Sequence, residues 1–447
     1  MPETHCSHIQ IPFIYRNLSH EKLLQTRVNM KALIVGAGPA GLVTALRLKQ
    51  ALGIEAVVYE IRSEPTTLGG AVQLPPNGLR LIERLDLLNA ILARGFSSGR
   101  LQLHSMQGKV LAEWDRTDGT RNATDHGYVR ILRNDLHQVL LEAVQEHGIA
   151  VHYSKSLTQV DETDTNVTVT FSDGSSDSGD LLLGCDGIHS AVRSLLIDPD
   201  AKPEYSGIAN MFGMLPASIQ EMWIDPALHA TITPHGLVAV SPYTAAADHL
   251  YWFFSRSVPV PESGSRDGWE AVSKHEVDDF KNTLLDILGD ATGDWNGKLR
   301  DIICNTDRVK FYPIHKMPPN CKWFSRRSLL MGDAAHAMQP HIGQGTSMAL
   351  EDAFCLSRVL EDSDRSLTEA FQIYEAVRRP RVERVAQASA DRGDTRQASG
   401  PAWHRLKEIG IGLGFWIYKT ARLDKMGVGM DREAVEYDIM QESIPSV

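Results

Sequence analysis

The stretch Lys31–Glu60, which reads KALIVGAGPAGLVTALRLKQALGIEAVVYE, decides the fold. An apolar run at 31–35 ends at a cluster of glycines, and the leucines and alanines that follow recur at helical spacing. A second apolar run at 56–59, rich in β-branched residues, comes after the helical segment. The order strand, glycine turn, helix, strand predicts the beginning of an α/β domain with a parallel sheet.

The glycine turn has the pattern GxGxxG, formed by Gly36, Gly38 and Gly41. The first glycine permits a tight turn, the second lets a pyrophosphate approach the backbone, and the third lets the helix pack closely on the strand. Glu60 ends the second strand, where a carboxylate accepts hydrogen bonds from the hydroxyls of an adenosine ribose. The turn, including Ala40, therefore predicts a dinucleotide site, although this motif does not distinguish FAD from NAD.

A second motif, LLLGCDGIHSAVR, occupies 181–193. Its apolar strand delivers Asp186 and Gly187 to the carboxyl edge of the sheet, where open α/β sheets bind ligands. By itself this segment favours the interpretation as an ordinary turn after a strand. Its meaning depends on the motifs that surround it.

A third motif, GDAAH, begins at Gly332 and leads through a loop to a helix that starts near Thr346. Asp333 comes at the end of a strand, where it can bind a polyhydroxylated chain. Gly343 and Gly345 lie just before the helix, whose unpaired amide groups and dipole favour a negatively charged ring edge. The pyrimidine side of a reduced flavin carries such a charge.

Together, the three motifs resemble those of the aromatic-ring hydroxylases with the para-hydroxybenzoate hydroxylase fold, also called group A flavoprotein monooxygenases, which include salicylate hydroxylase-like enzymes. The resemblance extends from about Met30 to Leu360. It implies noncovalent FAD, with NADPH or NADH as a transient reductant. It also implies that dioxygen adds at the flavin C4a carbon and that one oxygen of the resulting hydroperoxide passes to the substrate.

The resemblance also assigns roles to residues. It implies that the first motif holds the ADP half of FAD, that Asp333 binds the ribityl chain, and that Asp186 lies where both FAD and the nicotinamide cofactor are served. Arg133 matches a further family position near the flavin, although Arg133 and Arg193 are equally compatible with ion pairs that fix a loop. The expected cofactor-binding residues are Gly36, Gly38, Ala40, Gly41, Glu60, Arg133, Asp186, Gly187, Arg193, Gly332, Asp333, Gly343 and Gly345.

The expected reaction is hydroxylation of a small hydrophobic, aromatic or phenolic metabolite. Epoxidation or Baeyer-Villiger insertion on a secondary metabolite remains an alternative, as does a non-oxygenating flavin reductase on the same fold. His341 is the candidate catalytic base because it lies in the loop that faces the flavin and histidine titrates near neutral pH; bracing of the loop by hydrogen bonds is the competing interpretation. The candidate walls of the substrate pocket, which ordinary sheet packing explains equally well, are Phe212, Met214, Trp252 and Phe254.

The sequence predicts an FAD-binding, Rossmann-like α/β domain that is interrupted by a mostly antiparallel sheet and followed by C-terminal helices. Short β-like runs rich in aromatic residues begin near Tyr205, which places the substrate domain there. The expected segments are an N-terminal extension at 1–29, the first part of the FAD domain at 30–204, the substrate domain at 205–325, the last part of the FAD domain at 326–395, and a helical segment at 396–447.

Composition excludes several other classes of protein. The 45 basic and 56 acidic residues give a formal charge of −11 without a long basic block, so neither nucleic acid nor an anionic membrane is an expected partner. The five cysteines are scattered, without CxxC pairs or metal-ligand spacing, which is typical of a reducing compartment and predicts a cytoplasmic protein without a metal site. Small-molecule substrate and dioxygen are the expected partners.

One apolar run near the C-terminus, IGIGLGFWIY at 409–418, is shorter than the ~20 residues that span a bilayer. It favours a packed helix, and an interfacial membrane contact is the alternative. The second alternative stays open because Phe415, Trp416 and the nearby Lys419 and Arg422 resemble an amphipathic anchor.

Overall fold

The structure is a computed structural model, and the N-terminal extension at 1–29 lies outside its described residues. It describes residues 30–65, 69–116, 127–217, 222, 224–261, 266–289, 291–394, 396–423 and 432–445.

A five-stranded parallel sheet forms the centre of the larger lobe, in the spatial order β18-β12-β1-β2-β8. Its strands are β1 (Lys31–Val35), β2 (Glu55–Tyr59), β8 (Ala150–His152), β12 (Leu181–Gly184) and β18 (Ser328–Leu330). The central strands are nearly all apolar because both faces of the sheet are covered. The α/β fold class predicted from the sequence is therefore confirmed.

Helices and a small sheet cover this parallel sheet. Helix α1 (Pro39–Leu52) begins with a proline in its first turn and ends at Gly53, whose φ of +66° is the left-handed conformation that terminates helices. Helix α4 (Arg133–Glu146) packs on α1. An antiparallel sheet of β9 (Leu157–Glu162), β10 (Val167–Phe171) and β11 (Ser176–Gly179) contributes residues to the same apolar core.

A seven-stranded sheet forms the second lobe, in the order β17-β13-β16-β15-β14-β5-β6. All of its pairs are antiparallel except β14 with β5. Two strands, β5 (Arg100–His104) and β6 (Val110–Asp115), come from outside the expected range 205–325. The remaining strands are β13 (Glu204–Pro216), β14 (Leu228–Thr233), β15 (Gly236–Pro242), β16 (His249–Ser257) and β17 (Val309–Lys316).

The two faces of the seven-stranded sheet have different neighbours. One face carries a second apolar core, which includes residues of the helices α6 (Phe280–Ile287) and α7 (Gly293–Cys304). The other face carries a small aromatic cluster and meets the loop that leads into β3 (Ala71–Leu74), since a Cβ at Gly70 would lie 2.2 Å from the Tyr251 ring. The two lobes therefore meet across this second face.

The remaining elements connect or complete the lobes. A third small sheet has the order β3-β7-β4. These elements are β4 (Phe96–Ser97), β7 (Val129–Leu132), α2 (Pro76–Glu83), α3 (Leu88–Arg94), α5 (Arg266–Asp278) and a π-helical turn (Arg193–Ile197).

The C-terminal third of the chain is mostly helical. Helix α9 (Gly345–Leu360) is almost entirely buried, and it packs against α1 and α10 (Leu367–Asp394). The other helices are α8 (Asp333–His336), α11 (Pro401–Thr420) and α12 (Arg432–Glu436). No helix in the described part of the chain has the length and hydropathy needed to cross a membrane.

Helix α11 packs on β6 and leaves its outer face uncovered. The Phe415 ring lies 5.1 Å from that of Trp114, and Glu408 Oε1 accepts a hydrogen bond from the backbone of Met106 at 2.8 Å. The outer face carries six large apolar side chains that are 48 to 66% exposed: Trp403, Leu406, Ile409, Leu413, Trp416 and Ile417.

Candidate functional site

The glycine turn after β1 leaves open space at the amino end of α1. Gly36 has a φ of +104°, and a Cβ there would lie 2.4 Å from the backbone oxygen of Cys185. A Cβ at Gly41 would lie 1.9 Å from the backbone oxygen of Gly36, so both positions require glycine. A Cβ at Gly38 would instead meet no atom within 4 Å. The turn therefore faces a free volume at a helix amino end, where a phosphate fits.

Glu60 lies at the end of β2, beside this turn. Its Oε2 accepts a hydrogen bond from the backbone N–H of Ala37 at 2.9 Å, and its Oε1 accepts one from the backbone N–H of Arg62 at 3.0 Å. The residue is only 8% exposed and lines the cavity described below. An ionised carboxylate has about four acceptor positions, so Glu60 can brace the turn and still accept hydrogen bonds from a ligand.

Asp186 follows β12 and has one oxygen without a partner among the described residues. Its Oδ2 accepts hydrogen bonds from the backbone N–H groups of Ala191 at 2.6 Å and Val192 at 3.2 Å, whereas its buried Oδ1 accepts none. Burial raises the pKa of this carboxyl group. Gly187 follows with a φ of +77° and also lines the cavity. The free Oδ1 indicates that a ligand supplies the missing donor.

Arg193 does not line the cavity. Its guanidinium donates to the backbone oxygens of Ala334 at 2.8 Å and Ile188 at 2.5 Å, and the residue is 2% exposed. This arginine joins the second motif to the third through main-chain contacts. The geometry thus corresponds to loop fixation, and the partners are carbonyl groups rather than the carboxylate of an ion pair.

The third motif packs against the first. Gly332 has a φ of +58°, and a Cβ there would lie 3.2 Å from that of Ala40. Its N–H donates to Oδ2 of Asp352 at 2.8 Å, which holds the turn. Asp333 follows with an exposed side chain on the cavity wall. Close packing at Gly332 therefore brings Asp333 to the same cavity as the glycine turn.

The loop after Asp333 ends at the amino end of α9, which also borders the cavity. Gly343 has a φ of +68°, and a Cβ at Gly345, the first residue of α9, would meet no atom within 4 Å. Arg133, which begins α4, lines the same cavity, and a Cβ at Gly69 would lie 2.9 Å from its Cδ. A helix amino end and a cation therefore both border this region, and both favour a negatively charged ligand edge.

One continuous cavity of about 2120 Å³ joins these motifs. Typical small-molecule pockets are about 300 to 1,000 Å³, so this volume suits a dinucleotide together with a second ligand. The predicted cofactor-binding residues that do not line this cavity are Gly41, Gly332 and Arg193. The predicted residues that line it are Gly36, Gly38, Ala40, Glu60, Arg133, Asp186, Gly187, Asp333, His341, Gly343 and Gly345.

The cavity ends between β3 and the seven-stranded sheet, where its walls are aromatic. Phe212, Tyr251 and Phe253 line it, and the ring centroids of Phe212 and Tyr251 are 5.6 Å apart. Tyr312 of β17 lines the same end, 5.9 Å from the Phe212 ring. A flat aromatic molecule fits between such walls.

Three of the four pocket walls predicted from the sequence lie elsewhere. Trp252 and Phe254 are on the opposite face of β16, in the second apolar core, where the indole of Trp252 donates to Thr306 Oγ1 at 2.8 Å. Met214 packs beside Phe212 without lining the cavity. Alternation along a strand identifies two faces, but it does not say which face meets a ligand.

His341 lines the cavity but has an environment unlike that of a base that titrates at neutral pH. Burial and the nearby Arg396 lower the pKa of its imidazole to about 3. Neither ring nitrogen has a hydrogen-bond partner among the described residues, so hydrogen bonding does not brace the loop here. His336 does brace it, since its Nε2 lies 2.7 Å from Oδ2 of Asp352. The geometry favours a neutral His341 that can hydrogen-bond a ligand.

The sequence analysis did not identify several polar residues at the aromatic end. Arg130 lies on β7, Arg396 follows α10, and Asn210 lies on β13. They are distant in sequence and belong to no motif, so only the fold brings them together. The alternation of β7 could have indicated that Arg130 shares a face with Tyr128, which also lines the cavity.

No group of three or more histidine, cysteine, aspartate or glutamate side chains within the described ranges could hold a metal ion.

Comparisons with known proteins agree with this geometry. Residues 29–389 match the family described as FAD binding domain. The chain is 31% identical to 3-amino-4-hydroxybenzoate 2-monooxygenase of Streptomyces platensis over 362 residues, which are 80% of this chain and 87% of that enzyme. It is 29% identical to 6-hydroxynicotinate 3-monooxygenase of Pseudomonas fluorescens over 382 residues, which are 83% and 93% of the two chains.

A solved structure supports the same assignment. HpxO of Klebsiella pneumoniae, in complex with FAD and uric acid, aligns with a TM-score of 0.73 and 26% identity, and the alignment covers 87% of this chain and 96% of that chain. The family match contains all three motifs. The acceptor on Asp186 that has no partner among the described residues, the open space at Gly38 and the amino ends of α1 and α9 all fit FAD. The protein is thus an FAD-dependent oxidoreductase, and it belongs to the group A FAD-dependent aromatic-ring monooxygenases.

Proposed function

We propose that the protein hydroxylates the ring of a small aromatic or phenolic metabolite with NAD(P)H and dioxygen. One oxygen atom of dioxygen replaces a ring hydrogen as hydroxyl, the other leaves as water, and NAD(P)H supplies the two electrons. The observation that carries this proposal is the continuity of the cavity from the glycine turn to the aromatic walls. Bound FAD supplies the redox chemistry and the activation of oxygen. The chain itself binds, orients and shields the reactants.

The glycine turn and Glu60 are proposed to hold the ADP half of FAD. Gly38 and Ala40 border the free volume at the amino end of α1, where the pyrophosphate belongs. Gly36 and Gly41 have the tight backbone contacts that keep this volume open. Glu60 has acceptor positions left for the ribose hydroxyls, because its two hydrogen bonds to backbone N–H groups use only part of its capacity.

The second and third motifs are proposed to hold the middle of the cofactor and its flavin ring. Asp186, whose Oδ1 has no partner among the described residues, lines the cavity together with Gly187. Asp333 supplies an exposed carboxylate for the ribityl hydroxyls. Gly343 and Gly345 let the flavin ring approach the amino end of α9. Gly332 contributes indirectly, because its close packing on Ala40 positions the third motif against the first. We assign Arg133 to the flavin region and Arg193 to the positioning of the two loops.

The reductant is proposed to bind transiently. The sequence has one GxGxxG turn, which FAD uses, and no second such turn for a permanent NAD(P)H site. Either NADPH or NADH is therefore expected to bind the FAD-loaded cavity only transiently.

Isotope labelling tests the reaction class. Holoenzyme is incubated with a panel of phenols and aromatic acids, NADPH or NADH, and ¹⁸O₂, and the products are analysed by mass spectrometry. Hydroxylation predicts a gain of one ¹⁸O at a ring carbon, with NAD(P)H and dioxygen consumed in equal amounts. Epoxides or ring-expanded esters would assign the protein to the alternative oxygenations. NAD(P)H oxidation without oxygen uptake would assign it to the reductases.

We further propose that the protein works in the cytoplasm with the outer face of α11 resting on an anionic membrane. The four described cysteines, Cys185, Cys304, Cys321 and Cys355, are free thiols, which suits a reducing compartment.

Charge supports this membrane contact. Arg405, Lys419 and Arg422 are exposed on or just after α11, whereas the single acid of the helix, Glu408, is buried. A second copy of the chain would bring like charges together on this face, whereas anionic lipids complement it.

A further inference from the structure

The aromatic end of the cavity contains two arginines, the half-buried Arg130 and the buried Arg396, whose charges the proposed FAD contacts leave uncompensated. We call this region the arginine pocket and define it by Gln73, Arg130, Tyr251, Tyr312, His341 and Arg396, all of which line the cavity. The two arginines come from β7 and from the segment after α10. Both arginines lie close to the loop that contains His341 and Gly343. Gln73, which accepts a hydrogen bond from Arg130, lies 3.5 Å from the position of a Cβ at Gly343. Arg396 lies 3.5 Å from the backbone oxygen of His341.

Arg130 has only a neutral partner. Its guanidinium donates to Oε1 of Gln73 at 3.0 Å, and it forms no ion pair with a carboxylate of the described residues. Burial and the neighbouring Arg116 lower the pKa of Arg130 to about 10. Arg116 also donates to Gln73 Oε1, at 3.4 Å, so Arg130 shares its neutral acceptor with a second cation. The described residues therefore supply no anionic partner for Arg130.

Arg396 has an equally incomplete environment. It is 8% exposed, its contact with the His341 carbonyl is long, and no carboxylate of the described residues forms an ion pair with it. Burial and the neighbouring Arg392 lower its pKa to about 10. Its guanidinium lies 6.0 Å from the ring centre of Phe253, one of the aromatic walls.

Other buried polar atoms in this region also lack partners. His341 is 8% exposed and both of its ring nitrogens are free of hydrogen bonds among the described residues. Asn210 is 5% exposed; its amide nitrogen donates to the hydroxyl of Tyr312 at 3.0 Å, but its Oδ1 has no partner. Buried polar groups are normally satisfied, so this set indicates a polar ligand. The cations indicate its charge, because a buried unpaired charge is costly.

FAD does not account for this charge. Its pyrophosphate is assigned above to the glycine turn, and the ring of the cofactor is assigned to Arg133 and the amino end of α9. A second ligand with an anionic group is needed at the arginine pocket.

We infer that the substrate is an aromatic acid whose carboxylate binds Arg130 and Arg396. This inference rests on the proposed hydroxylation and specifies its substrate class. Guanidinium groups match the planar, bidentate geometry of a carboxylate, and such charge-assisted contacts are strong where water is excluded. Phe212 and Tyr251 provide flat walls for the ring. His341, held neutral, supplies a hydrogen bond to a ring substituent.

A matched pair of ligands tests the charge requirement. FAD-loaded protein is titrated with 4-hydroxybenzoate and with 4-hydroxybenzamide, and binding is followed by the change in flavin absorbance. The two probes share the ring and hydroxyl and differ in charge. We expect the acid to bind at least tenfold more tightly than the amide. Benzoate with benzamide, and nicotinate with nicotinamide, repeat the comparison on other rings.

Charge-removing variants test the residues. Arg130→Gln and Arg396→Gln should each weaken acid binding at least tenfold and change amide binding less than threefold, because only the acid loses an ion pair. Arg326→Gln is the matched control, since Arg326 is 64% exposed and pairs with Asp164 on the surface. This control should bind both probes as the unmodified protein does.

Three results would overturn the inference. The first is that the acid and the amide bind the unmodified protein with equal affinity. The second is that the arginine variants lose affinity for the acid and the amide equally. The third is that no acid of the panel binds at 10-fold the concentration at which a neutral probe saturates the protein. Oxygen and NAD(P)H consumption, measured in parallel, separates this failure from that of the proposed function. If one of these three results occurs while the unmodified protein still hydroxylates uncharged phenols, the monooxygenase assignment stands and only the anion site is wrong.

Discussion

At the scale of the residue, three carboxylates near the cofactor site differ in how much of their bonding capacity the protein itself uses. Glu60 accepts two backbone hydrogen bonds and Asp186 accepts two on one oxygen, whereas Asp333 is exposed on the cavity wall. Glu60 and Asp186 therefore stabilise the backbone around them in addition to their proposed contact with a ligand. Asp333 is the clearest test of the FAD assignment, because replacing its exposed side chain disturbs the surrounding structure least.

We predict that Asp333→Ala weakens FAD binding. The variant loses a charge-assisted contact to the ribityl chain, of a kind worth about 1.5 to 3 kcal/mol, which corresponds to a roughly 10- to 150-fold higher Kd. Fluorescence titration of apoprotein with FAD measures the change. Asp301→Ala, on the exposed face of α7, is the control. An unchanged Kd in Asp333→Ala would remove this residue from the cofactor site.

A second feature at the residue scale is a buried histidine pair beneath the seven-stranded sheet. Nε2 of His104 lies 3.1 Å from Nδ1 of His229, and both rings stack on Trp295 at 4.6 and 4.5 Å. Burial lowers the pKa of His104 to about 4, with a further contribution from His229, and burial also lowers the pKa of His229. The unfolded chain therefore binds more protons than the folded one between about pH 6.5 and pH 4.

We predict that the protein loses stability as pH falls through this window. Stability is fully present above the unfolded pKa near 6.5 and decreases toward pH 4, by at most about 3 kcal/mol for His104. Thermal unfolding from pH 7.5 to 4.5 measures the effect. His104→Gln should flatten this dependence, although it also removes a ring stack. The exposed His275→Gln should retain it. The same slope in all three proteins would refute the assignment.

At the scale of the element, α11 is packed against the protein on one side and exposes an apolar surface on the other. Its inner side packs on β6 through Phe415, while its outer side exposes six large apolar residues. Contiguous apolar surface of this kind marks interaction sites. Isolated apolar residues on a surface need no such explanation.

We predict that holoenzyme co-floats with vesicles of phosphatidylcholine and phosphatidylserine more than with phosphatidylcholine alone. Trp416→Ser with Leu413→Ser should reduce flotation at least fivefold, because both side chains lie on the outer face. Leu92→Ser, which removes an exposed leucine on α3, is the control. Self-association of the unmodified protein in size-exclusion chromatography, abolished by the same double substitution and without vesicle binding, would contradict the proposal.

At the scale of the whole molecule, one buried ionic network joins segments that are far apart in the chain. Arg378 of α10 is fully buried and donates to Glu351 Oε2 at 2.7 Å and Asp352 Oδ1 at 2.8 Å. Asp352 Oδ2 also holds the Gly332 turn, and Glu351 Oε1 accepts from Asn77 of α2 at 2.8 Å. The third motif is thus held in place from α2, α9 and α10 together.

We predict that Arg378→Met destabilises the holoenzyme by about 3 to 5 kcal/mol, because it leaves two buried carboxylates without their shared cation. Urea denaturation measures the difference. Arg378→Lys should fall between this variant and the unmodified protein. Arg326→Met breaks an exposed pair and should cost no more than about 1 kcal/mol. Equal midpoints for Arg378→Met and Arg326→Met would show that the network does not stabilise the fold.

The sequence by itself determined the local parts of this protein. Gly36 and Gly41 are required by contacts within the strand-turn-helix unit, and the apolar runs around them have the spacing of the strand and helix they form. The three motifs and their order were sufficient to predict the fold class, FAD and the family. Short-range physics decides these features, since a turn, a helix start and a buried strand each leave a pattern in neighbouring residues.

Only the tertiary structure decided which side chains face the ligand. It turned Tyr251 and Phe253 to the cavity and Trp252 and Phe254 to the core, a choice that alternation leaves undetermined. It placed Arg193 behind the wall, and it lowered the pKa of His341 by burial beside Arg396. It also brought Arg130 and Arg396 to one loop from positions 266 residues apart. Burial and long-range proximity have no local signature, because they depend on which surfaces the folded chain covers.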